Sequence, residues 1–165
     1  MKFKNTLIYS IHIDSPLGGI TLAATDKGLA GVWFDQQRHE PDMTGWQTDA
    51  GHPVLREAAA QLTDYFVGRR NRFDLPLDLS HGTTFQQSVW KALLAIPTGR
   101  TTSYGALSAG VGNPAAVRAV GAAVGRNPIS VIVPCHRVLG SDGSLTGYAG
   151  GLDRKTALLE LEGAL

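Results

Sequence analysis

Apolar and polar residues alternate loosely over residues 7–14 (LIYSIHID), and Ser15-Pro16-Leu17-Gly18-Gly19 then reads as a turn. Residues 20–24 (ITLAA) and 29–34 (LAGVWF) are two further strand candidates, separated by Asp26-Lys27-Gly28. Three short strands joined by tight turns predict an antiparallel meander. Residues 35–52 are polar and aperiodic, and read as loop. From Pro53 the period changes. Apolar groups at 55, 58, 59, 62, 65 and 66 predict a helix over 53–67, opened by Pro53 and stopped by Gly68.

Residues 69–83 read as a linker, after which Thr84 is the expected cap of a helix with apolar positions 85, 89, 93 and 96. Pro97-Thr98-Gly99 ends that pattern. A short helix is expected from about Ser103, then a turn at Gly112-Asn113, then a second helix opened by Pro114 and rich in Ala and Gly. Two short helices joined by a Gly-containing turn predict a helix-turn-helix. Residues 129–133 (ISVIV) read as a buried extended segment, and Asp153 as the cap of a last helix.

Composition narrows the class. The chain has 165 residues, 43% apolar and 18% charged, which suits one domain or two small ones sharing a boundary. The expected division is 1–80 and 81–165. One cysteine excludes an internal disulfide framework and a structural zinc site built on several cysteines. The start, MKFKNTLIYSIHID, reads as neither a signal peptide nor a spanning helix, so a cytoplasmic protein without membrane contact is expected. Net charge is +1, split as −2 over 1–84 and +3 over 85–165, a mild basic tilt toward a polyanion partner.

The single cysteine sits in VIVPCHRVLG, residues 131–140, between a rigid proline and two basic side chains. A lone cysteine is either a small buried hydrophobe or a nucleophile, and a neighbouring base favours the second role. SYG at 103–105, NPAAVRAVGAAVGRNP at 113–128, VPCHRVLG at 133–140 and TGYAGG at 146–151 together resemble the O6-alkylguanine-DNA alkyltransferase family.

The resemblance implies an α+β fold: an N-terminal ribonuclease H-like α/β domain with a small antiparallel sheet, and a C-terminal helical domain carrying the helix-turn-helix. It implies a monomer that needs no cofactor or metal and acts on double-stranded DNA containing O6-alkylguanine, and less efficiently on O4-alkylthymine. Cooperative clustering on DNA is left open. By resemblance, Cys135 receives the alkyl group once, His136 is its base and Glu162 orients that base. Asn127 is a hinge at the active site. Tyr104 assists extrusion of the nucleotide and donates to guanine N3. Arg118 fills the vacated stack, and Ser103, Ala119 and Gly121 lie on the DNA-facing helices. Tyr148, Ala149, Pro134, Val138 and Val124 are expected around the pocket.

Two steps follow from the residues themselves. Displacement at saturated carbon needs a thiolate, and a free thiol is only a few per cent ionised near neutrality, so a base is required. Adjacent side chains on an extended chain point to opposite faces, so if 135 and 136 form a strand, only a bridging water brings His136 to the sulfur. The main rival is a damage-binding protein of the alkyltransferase-like type, which lacks the cysteine. A sequence-reading regulator and a cysteine hydrolase are the others.

Overall fold

The computed structural model describes residues 3 and 6–165; Lys2 and Lys4, on which part of the N-terminal reading rests, lie outside the described residues. The expected meander forms as β1 (Tyr9–Ile13), β2 (Ile20–Thr25) and β3 (Gly28–Phe34), paired antiparallel. The stretch 35–52 is not wholly loop. Gln47–Thr48 forms β4 beside Tyr9 and Ser10 of β1, in parallel, giving the order β3-β2-β1-β4. Two residues of polar strand carry no detectable period, which is why the pattern hides them. α1 (Pro53–Phe66) packs its Leu55, Ala58, Leu62 and Tyr65 face into the core, with His52 rather than a hydroxyl residue capping its start.

The stretch 69–83, which reads as a linker, is tied to the sheet rather than free. Leu29 N–H donates to Pro76 O at 2.8 Å, and Asp78 N–H donates to Leu29 O at 2.7 Å. α2 (Thr84–Leu93) is capped by Thr83, not Thr84. Thr83 and Gln86 exchange bonds in a capping box; Thr84 and Gln87 have the same spacing, which is why the sequence leaves the cap open by one residue. Trp90 is fully buried and its indole donates to Ala123 O at 2.8 Å, locking α2 against the helix that carries Ala123.

β5 (Thr102–Ser103) leads into α3 (Tyr104–Gly110), capped by Ser103. α4 runs over Val117–Gly125, three residues later than Pro114 suggested; Asn113 O accepts from Ala116 N–H in a turn that precedes it. After α4 the chain is buried, as expected, but not extended beyond Ile129, which bridges Val32. Val131 takes φ 70, a left-handed conformation that a β-branched residue holds only at a cost of about 1–3 kcal/mol. Cys135–Arg137 then forms a single 3-10 turn, and β6 (Val138–Leu139) pairs in parallel with β5. α5 (Leu152–Leu161) is entered through Gly151 at φ 94, so Asp153 lies in its first turn and is not the cap. One hydrophobic core runs from β2, β3 and α1 through α2 and α4 to Val133, Cys135 and Leu158. No helix among the described residues is long and apolar enough to cross a membrane.

Candidate active site

Asn127 sets the local geometry. Pro128 forces the chain out of α4, and the buried Asn127 side chain binds the segment that follows. Its amide donates to Val133 O at 2.8 Å and more weakly to Ile129 O at 3.4 Å, while its oxygen accepts from Ile129 N–H at 3.0 Å. These bonds hold the Val131 strain and deliver Cys135 to the floor of a pocket. The β5–β6 pairing brings Tyr104, next after Ser103, to the same place.

The pocket has a volume of about 120 Å³ and opens to solvent. Tyr104, Gly121 and Val124 line it from the helix pair, Tyr148 and Ala149 from the loop before α5, and Cys135 from the 3-10 turn. Cys135 is 5% exposed, yet it is not sealed in the core, because the residue lines the pocket. Pro134 and Val138 were expected here and are not in the lining. Pro134 faces a separate cavity shared with Phe73, Ile96 and Arg137, and Val138 is buried in β6 with its carbonyl turned to Lys155. Pro134 lies just before the 3-10 turn and Val138 just after it, in the strand paired with β5, so neither follows Cys135 to its pocket. Arg118 and Ala119 are exposed at the start of α4, and Val120 and Ala123 are its buried side. Close packing therefore accounts for Ala123, while Ala119 and Ala122 remain on the outer face.

Glu162, at the C-terminus of α5, is no solvated end-of-helix charge: its side chain is 1% exposed. Its Oε2 accepts from His136 Nε2 at 2.8 Å and from Arg137 Nη2 at 2.9 Å, and its Oε1 accepts from Arg137 Nε at 2.8 Å. Burial alone raises a carboxyl, but these donors outweigh it and hold Glu162 down at about 2. Because Nε2 faces a carboxylate, it carries the proton in neutral His136. Nδ1 is then the free acceptor, and it is buried without a protein hydrogen-bond partner. Burial favours that neutral form, lowering His136 against the pull of Glu162. The thiol is pushed up to about 11 by burial, although the Asn127 amide and the Lys155 ammonium draw it back. Burial likewise raises the phenols of Tyr104 and Tyr148.

Several site residues carry no sequence signal. Lys155 is fully buried on α5 and donates to Val138 O at 2.6 Å, Thr146 O at 3.0 Å and Gly147 O at 3.1 Å, tying the pocket loop to β6. Arg38 and His39, just after β3, reach the pocket rim, where Arg38 N–H donates to Ala149 O at 2.8 Å. Both lie in the stretch read as featureless loop. Among the described residues no group of His, Cys, Asp and Glu could hold a metal ion.

An α+β scaffold, a helix-turn-helix and a thiol facing an open pocket beside a His–Glu pair define the class: a helix-turn-helix protein with a cysteine at the floor of a pocket. Comparison with known proteins gives the family. Residues 8–79 match the ribonuclease-like domain of 6-O-methylguanine DNA methyltransferase, and residues 84–164 match its DNA binding domain. A methylated-DNA–protein-cysteine methyltransferase of Mycobacterium bovis is 52% identical over 156 residues, covering 94% of this chain and 93% of that protein. One from Methanosarcina barkeri is 50% identical, covering 94% and 97%. The crystal structure of Mycobacterium tuberculosis OGT in complex with DNA superposes with a TM-score of 0.88 at 50% identity, covering 94% of this chain and 93% of that one. The chain belongs to the 6-O-methylguanine DNA methyltransferase family.

Proposed function

We propose that this chain repairs DNA by direct reversal, moving the alkyl group of O6-alkylguanine in duplex DNA to Sγ of Cys135, once per molecule. The observation that carries this reading is the position of Cys135 on the floor of an open pocket between the helix pair and the Tyr148 loop, with His136 and Glu162 behind it. The target base lies inside a stacked duplex, so it must be rotated out, at a cost of a few kcal/mol. Arg118, exposed at the start of α4, fills the gap left in the stack. Small exposed residues such as Ala119 let α4 approach the minor groove, which carries little sequence information and so suits a search for damage in any context.

The free Nδ1 of His136 takes the thiol proton through a water, and Glu162 stabilises the imidazolium. The S–C bond forms as the C–O6 bond breaks, and the electron pair passes to guanine. Tyr104, which faces the pocket and donates to Thr146 O at 3.2 Å, turns its hydroxyl toward N3 to quench the developing charge. The thioether has no good leaving group, so the protein is consumed. O4-alkylthymine presents the same bond in a smaller ring and is the poorer substrate. The protein acts as a monomer. A damage-binding protein without transfer is disfavoured, since it has no use for an accessible thiol and a complete proton relay. Incubation with a duplex carrying radiolabelled O6-methylguanine, followed by proteolysis, tests the assignment. Label on the peptide containing Cys135 is expected; binding without label on that peptide refutes it.

A further inference from the structure

We propose that Tyr65 is a positioning residue for the relay, a group from the N-terminal half that sets how strongly Glu162 holds His136. The inference rests on the reading of His136 as the base. Tyr65 lies on α1, is 2% exposed, and its hydroxyl donates to Glu162 Oε2 at 2.5 Å across 97 residues of chain. The same oxygen accepts from His136 Nε2 and Arg137 Nη2. Three donors share one carboxylate oxygen, so the electron density drawn by Tyr65 is withheld from His136. The charged and titratable groups facing this pair are Arg137 on the 3-10 turn, Lys155 on α5, Cys135 at the pocket and Tyr65 on α1.

Burial and the adjacent Glu162 charge hold the Tyr65 phenol far above its usual range, so it remains a neutral donor at every working pH. Its ring packs against those of Phe66 and Phe73, with centroids 5.3 Å away in each case. Phenylalanine at 65 therefore keeps the packing and removes only the donor. Glu162 then becomes a stronger acceptor for Nε2–H and favours imidazolium. A hydroxyl that serves only to satisfy a buried carboxylate alters stability but leaves the His136 hydrogen bond as it was.

The test compares wild type with Tyr65→Phe by nitrogen–proton NMR of the His136 ring, and by single-turnover methyl transfer from saturating O6-methylguanine duplex across pH. In Tyr65→Phe the Nε2–H resonance is expected to move downfield. The acid limb of transfer is expected to move up by about half a pH unit, roughly a threefold slower rate on that limb at an unchanged plateau. Site-specific fluorotyrosine at 65, a stronger donor of the same shape, is expected to move Nε2–H the other way. An unmoved Nε2–H resonance in both variants overturns the proposal, as does a lowered plateau with the limb in place. If wild type transfers no methyl group, the reading of His136 as base fails, while the NMR comparison still decides whether Tyr65 acts on the imidazole.

Discussion

Cys135 and Glu162 are both withdrawn from water, yet burial carries the thiol up to about 11 while the Glu162 carboxyl falls to about 2. The difference lies in what surrounds each. Glu162 is met by Arg137 through two bonds, by His136 and by Tyr65. The thiol has the Asn127 amide and the Lys155 ammonium nearby, and the latter is already committed to three carbonyls. The carboxyl is thus ionised at neutral pH and held in place by its donors, while the thiol stays neutral. On the proposed function, the chain keeps its nucleophile protonated and its base organised, so that thiolate forms where the base is waiting for the proton. Keeping the sulfur neutral also limits its loss to oxidants, which react with thiolate.

Each side of this contrast can be removed separately. The largest effect is expected at the thiol: Cys135→Ser abolishes transfer while retaining duplex binding, read by label transfer and by electrophoretic mobility shift. On the other side, Glu162→Ala strands the buried guanidinium of Arg137, and a loss of about 3–5 kcal/mol in urea unfolding is expected. Glu162→Gln, which still accepts a bond, is expected to lose less.

The pH dependence of stability separates the two groups further. The folded state holds the carboxyl below its ordinary 4.5, so its contribution is complete above about 4.5 and is lost as pH falls toward about 2, up to roughly 3 kcal/mol. The thiol is raised from 9.0, so its contribution is complete below about 9 and is lost as pH climbs toward about 11. Chemical denaturation across pH is expected to show the acid loss flattened in Glu162→Gln and the alkaline loss flattened in Cys135→Ser. A smaller effect is expected at Asn127. Asn127→Ala removes three bonds from the segment that carries the thiol, and about 2 kcal/mol of stability is expected to go with them.

The sequence makes the local layer of this design legible. Period-two and period-3.6 patterning places the three long strands, α1 and α2, and the Pro-Cys-His-Arg and Asn-Pro words place the thiol and the chain break before it. What escaped is set by contacts distant along the chain. Nothing in a lysine on an amphipathic helix says that its ammonium will end among three carbonyls. Tyr65 reads as one more core position on α1, and its bond to Glu162 exists only once both halves share a core. β4 is two polar residues stabilised by β1, and Arg38 and His39 belong to an aperiodic loop that tertiary folding brings to the pocket rim. The start of α4 at Val117 is not legible because Pro114 is equally suited to a turn.

The central claim, that a neutral thiol is activated in place and permanently consumed, is tested most directly by stoichiometry. A limiting amount of protein is mixed with excess O6-methylguanine duplex and repaired duplex is followed to completion. The account predicts a plateau at one repaired base per protein chain; repair that continues past one base per chain contradicts it.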